Sequence, residues 1–81
     1  MKRYLVEVIK VDKQDGAILD NWDLFSYPTR EEAIEEAKTV SDSSINPRML
    51  GYTHVLVHEL TYDNELEAPI DSKQIASFDI K

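Results

Sequence analysis

The residues that most restrict the fold are Arg3-Tyr4-Leu5-Val6-Glu7-Val8-Ile9-Lys10-Val11, followed closely by Asp15-Gly16. The run is short and rich in β-branched residues, so it reads as a strand. Tyr4, Val6 and Val8 line one face, and Leu5, Ile9 and Val11 line the other, interrupted by Glu7. A strand apolar on both faces belongs in the middle of a sheet. Asp-Gly between two apolar runs is a hairpin signal, because glycine takes the positive φ that the turn requires. The return strand is expected over 17–27, with a bulge near Asp20-Asn21 where the alternation fails.

Pro28-Thr29-Arg30-Glu31-Glu32 then forms a capping box, with Thr29 as the N-cap and Glu32 three residues on. The helix that follows carries one narrow apolar stripe of Ala33, Ile34, Ala37 and Val40. Glu31–Glu35 and Glu32–Glu36 are like-charge pairs, each unfavourable by a few tenths of a kcal/mol. The helix is therefore expected to be held by packing on a sheet. Residues 42–51, containing Asn46-Pro47 and Gly51, read as a loop. Strands are expected over 52–62, with Val55 and Val57 on one face and His54, Leu56, His58 and Leu60 on the other, and over 74–80, with Ala76, Phe78 and Ile80 together. Pro69 excludes a central strand before the last one.

The expected fold is a single α+β domain over 1–81, in the order β-β-α-β-β. The four-stranded, mainly antiparallel sheet has order 2-1-3-4, with the helix on one face. The other face is left partly open, so that Leu5, Ile9 and Val11 offer a dimer or partner surface. Trp22, the single tryptophan, reads as core under the helix or, alternatively, as an interface anchor.

Composition bounds the chemistry. The 81 residues contain no cysteine, which removes disulfides, thiolate nucleophiles and cysteine-based zinc sites, and points to the cytoplasm. No apolar run approaches the roughly 20 residues of a membrane helix. Net charge is −7, with a local net of +2 over residues 1–13 and no Lys or Arg between Arg48 and Lys73. Direct nucleic-acid binding needs a basic surface, and is not expected here.

His54 and His58 lie about 13 Å apart on a strand, too far to share a metal. Asp63, Glu65 and Glu67 do not make the ladder of a calcium loop, and two glycines cannot build a phosphate-binding loop. No catalytic residue, cofactor or metal is expected, and the chain is not read as an enzyme. Glu31, Glu32, Glu35 and Glu36 stand out as a carboxylate face able to imitate a phosphate backbone in a basic groove; the plain alternative is a solvated helix side.

The strand, the Asp15-Gly16 hairpin, the second strand and Thr29-Arg30-Glu31-Glu32-Ala33-Ile34-Glu35-Glu36-Ala37-Lys38 resemble, over residues 3–40, the hairpin–helix pattern of HicB-type antitoxins. That family's Pro-Asp-x-Pro-Gly segment is replaced here by Leu24-Phe25-Ser26-Tyr27-Pro28. In size and charge the chain is similar to small phage-encoded inhibitors such as anti-CRISPR proteins. The acidic surface, the absence of catalytic chemistry and this antitoxin-like pattern together point to a non-catalytic, acidic protein-binding domain that blocks or regulates a partner, of antitoxin or phage-inhibitor type. Its binding residues would be Glu31, Glu32, Glu35 and Glu36, and its partner a basic, nucleic-acid-handling protein. The alternatives are a small homodimeric structural protein and a small-molecule or metal-binding protein.

Overall fold

A computed structural model of the chain describes residues 1–42, 51–64 and 68–80. Its elements run β1 (Lys2–Val11), β2 (Ile18–Tyr27), α1 (Arg30–Val40), β3 (His54–Thr61) and β4 (Asp71–Asp79). They form one antiparallel sheet in the order β2-β1-β3-β4, as the two-faced apolar character of β1 requires. The chain leaves edge strand β2, crosses through α1 and returns as β3 on the far side of β1.

The hairpin is closed at Gly16, whose φ of 75° lies in the left-handed region. Asp12 accepts from Gln14 N–H through its carboxylate (2.7 Å) and from Gly16 N–H through its carbonyl (3.0 Å). Asp15 accepts from Ala17 N–H at 2.9 Å. Each carboxylate thus satisfies a backbone donor that the turn would leave unpaired.

Register shows where alternation fails. Val6 pairs with Phe25 but Glu7 with Asp23, leaving Leu24 as an extra residue. Lys10 pairs with Asp20 but Val11 with Ile18, leaving Leu19 extra. The single bulge expected at Asp20-Asn21 is therefore two bulges, one beside that position and one nearer the helix. On the far edge, Val57 pairs with Ala76 and His58 with Gln74, so Ile75 is extra. Strand β4 also starts earlier than its apolar pattern, at Asp71.

Helix α1 is capped by Thr29, in extended conformation with φ −124° and ψ 150°. Thr29 Oγ1 accepts from Glu32 N–H at 3.3 Å, and its hydroxyl donates to Glu32 Oε1 at 2.9 Å. Glu32 thus closes the cap through the Thr29 hydroxyl rather than through the Thr29 backbone. At the other end, Ser41 N–H donates to Ala37 O, and its buried hydroxyl donates to Lys38 O at 2.7 Å.

Ala33, Ala37 and Val40 press onto Val6 and Val8 of β1 and Val55 and Val57 of β3 to make the core. Each of these four valines is fully buried, worth about 1.5 kcal/mol or more apiece. The small alanines let the helix sit over the two central strands. Tyr4, Leu24, Tyr27, Ile34, Tyr52, Ala76 and Phe78 close the margins.

The opposite sheet face is less open than its sequence suggests. Ile9 and Leu56 are buried there, and Leu5, Val11 and Leu60 are half-buried. Glu7, between Leu5 and Ile9, bonds across three strands on this face. Glu7 Oε1 meets His58 Nε2 of β3 at 2.8 Å, and Glu7 Oε2 accepts from Asn21 Nδ2 of β2 at 3.0 Å.

Candidate interaction surface

The helix places its four glutamates in two pairs. At about 100° per residue, Glu31 and Glu35 lie on one flank and Glu32 and Glu36 roughly 100° further round. Glu31 and Glu35 line a shallow groove of about 480 Å³ together with Arg30, Ile34 and Lys38. Two cations there balance the two acids, so this flank is of mixed charge. The fields of Glu32 and Glu36 reach the Tyr27 phenol at the end of β2. That phenol is held above its ordinary pKa, first by burial and then by the fields of Glu36 and Glu32. Glu31, Glu32 and Glu35 are exposed and Glu36 is half-buried. The four carboxylates are therefore available, but as a balanced groove and an acidic flank rather than as one continuous row.

Sequence reasoning placed less weight on β2, where the exposed apolar surface concentrates. Ile18, Leu19, Trp22 and Phe25 are all exposed on this single strand, with Phe25 at 68% and Trp22 at 44%. Trp22 pairs with Val8, a core residue, yet it is not covered as the core reading expected. Strand β2 lies at the sheet edge, beyond the central strands β1 and β3 whose valines the helix buries. The signal was present in the sequence as four large apolar residues within ten positions. Only the edge location turns them into surface. Exposed apolar residues clustered in this way mark interaction sites more often than those scattered singly.

The polar groups that could suggest catalysis have structural duties. Thr53 Oγ1 meets His54 Nδ1 at 2.7 Å, and His54 Nε2 meets Asp79 Oδ1 at 3.3 Å, an array with the residue types of a hydroxyl–imidazole–carboxylate triad. The Thr53 oxygen, however, also accepts from Val11 N–H at 3.0 Å and lies 3.2 Å from Ile9 O as a donor. It ties the start of β3 to the end of β1. Asp79 is 87% exposed, so among the described residues the carboxylate end of the array is open to solvent. His54 and His58 take different partners, Asp79 and Glu7. No cluster of metal-ligating side chains occurs among the described residues. Loop positions 43–50 and the acidic residues Glu65 and Glu67 lie outside them.

A smaller hollow of about 240 Å³ lies between Met1, Arg3, Ser26 and Tyr62. The Arg3 guanidinium there donates to Ser26 Oγ at 3.1 Å and to Ser26 O at 3.3 Å, pinning the end of β2 to β1. Among the described residues no helix is long and apolar enough to cross a membrane. No protein-family model, curated protein or solved structure matches this chain.

Proposed function

We propose that this chain is a non-catalytic protein-binding domain that blocks or regulates a basic partner. The observation that carries the reading is the exposure of Ile18, Leu19, Trp22 and Phe25 on one edge strand of a chain with net charge −7. Large aromatic side chains supply the apolar anchors of protein interfaces. The net negative charge, to which the helix carboxylates Glu31, Glu32, Glu35 and Glu36 contribute, supplies the field that draws in a partner of opposite sign. The hairpin–helix likeness to HicB-type antitoxins agrees with a regulator of a basic, nucleic-acid-handling protein.

The test is capture from host lysate with the tagged chain at low and high salt, followed by identification of what is held. A basic protein retained at low salt and released at high salt supports the reading. Replacing all four helix glutamates by glutamine should then weaken capture and flatten its salt dependence. Absence of any specific partner at both salts removes the reading. The self-associating alternative is carried by the same apolar edge, and a mass that rises with concentration in solution would favour it.

A further inference from the structure

Among the described residues, β2 has β1 as its only sheet neighbour, so no strand pairs with its outer side; the Asn21 N–H donates to Asp20 Oδ1 at 2.9 Å. An edge of this length with exposed apolar side chains is a template for another strand. The charge on it narrows the choice of occupant. The charged residues of β2 are Asp20 and Asp23, and the strand carries no cation. Asp20 pairs with Lys10 and lies on the helix side with Trp22, which pairs with Val8. Asp23 pairs with Glu7 on the other face. Phe25 pairs with the helix-side Val6, and the fields of Glu36 and Glu32 reach Tyr27 at the strand's end. A second copy laid antiparallel on β2 would add two more aspartates and no cation to an edge where Lys10 of β1 already faces Asp20, so it offers no charge complementarity. An extended segment bearing lysine or arginine meets carboxylates on both faces of the edge. On the helix side it also meets aromatic rings able to hold a cation.

We propose that the free edge of β2 takes up an extended basic segment of the partner as a fifth strand. Trp22 and Phe25 form its floor, and Asp20, Asp23, Glu32 and Glu36 act as counter-charges. This rests on the reading of the chain as a protein-binding domain and names the part of the partner that binds. Main-chain hydrogen bonds to β2 supply affinity, and the acids select the charge of the incoming side chains.

Trp22 is the only tryptophan, so its fluorescence reports directly on this edge. The intact chain is titrated with a synthetic peptide alternating lysine and valine. Two controls are used: the same peptide with alternate backbone nitrogens methylated, and a glutamate–valine peptide. The expected result is a saturable change in Trp22 emission with the lysine peptide. Slowed hydrogen exchange should appear at β2 amides and not at β4 amides. Both controls should bind at least about tenfold more weakly, and a combined Asp20→Asn, Asp23→Asn variant should lose about tenfold in affinity. Equal binding of the methylated peptide would overturn strand addition. So would an unchanged Trp22 signal and unchanged β2 exchange. Dimerisation of the free chain with protection of β2 would make a second copy the occupant and overturn the proposal too. A lysate partner still held by a Trp22→Ser, Phe25→Ser variant would sink the edge proposal while leaving the protein-binding reading intact. Failure to capture any partner would instead remove that reading.

Discussion

The two edges of the sheet are built on opposite plans. Strand β4 shows solvent Asp71, Ser72, Lys73, Gln74, Ser77 and Asp79, and turns Ala76 and Phe78 towards the core. Strand β2 shows solvent Ile18, Leu19, Trp22 and Phe25, and only Leu24 and Tyr27 reach the core. Both are interrupted by extra residues, Ile75 on β4 and Leu19 and Leu24 on β2. A polar surface and a bulge are common ways of keeping an edge from recruiting other strands. Strand β4 has both; β2 has the bulges, but its exposed Asp20, Asn21, Asp23 and Ser26 are interleaved with exposed apolar side chains. The difference teaches that the apolar residues of β4 contribute to folding, whereas those of β2 are in large part left over from it.

The sharpest way to break that contrast is to truncate one phenylalanine on each edge. Phe78→Ala should cost about 2 kcal/mol in denaturant unfolding, less than a fully buried phenylalanine because Phe78 is half-buried. Phe25→Ala should cost under about 0.5 kcal/mol, as for surface changes generally. Equal costs would show that the two edges do not differ in this way. Gly16→Ala comes next. No atom lies within 4 Å of the added methyl, so its cost comes from the positive φ alone, about 1 kcal/mol. Exchange of β2 amides should accelerate while β4 amides keep their protection. A smaller effect is expected from alkali. The phenol of Tyr27 sits above its ordinary value, so the fold favours its neutral form. Stability is intact below the unfolded-state value of about 10 and falls as pH rises through the folded-state value. A spectrophotometric titration should show Tyr27 ionising later than an unperturbed tyrosine, and Tyr27→Phe should abolish its share of the alkaline loss. The smallest effect belongs to the exposed Lys2–Glu59 pair, 3.0 Å apart, whose hydrogen bond holds Glu59 below the usual carboxylate range. Glu59→Gln should lower stability slightly above the unfolded-state pKa and make no difference once pH has fallen below the folded-state one.

Local pattern carried most of the architecture. Val6 and Val8, Val55 and Val57, and the Ala33–Ala37–Val40 stripe mark their buried faces by period alone, and Thr29 and Gly16 mark ends by capping and turn chemistry. From these the strand order follows. Pattern failed where a partner strand was needed to define position. Leu19 and Leu24 are extra only relative to β1, and nothing in their own neighbours distinguishes them from residues in register. Trp22 has the composition of a core residue and pairs with one, but its exposure depends on how far the helix reaches across the sheet. Glu7 reads as an interruption in an apolar face, whereas its bonds to Asn21 and His58 depend on the register of two other strands. Thr53 has no periodic signature, because its role is to join two strand ends. The four helix glutamates were legible as residues but not as two flanks of different charge, which needs the position of Arg30, Lys38 and Tyr27 around them.

The position of β1 between β2 and β3 has a consequence for how the molecule assembles in time. When the chain has emerged only as far as Asp42, β1 has its hairpin partner and the helix, but Val6 and Val8 still lack Val55 and Val57 on their other side. A two-stranded hairpin alone is marginal in water, and the helix that covers it has part of its core contacts with Val55 and Val57 of β3, not yet in place. The central ladder joins residues separated by up to 59 positions, from Lys2 to Thr61, so loop closure must precede most of the gain from the core. Folding of this sheet should therefore wait until β3 has emerged and closes against β1. Until that moment the apolar residues of β1 and β2 are exposed together on the nascent chain.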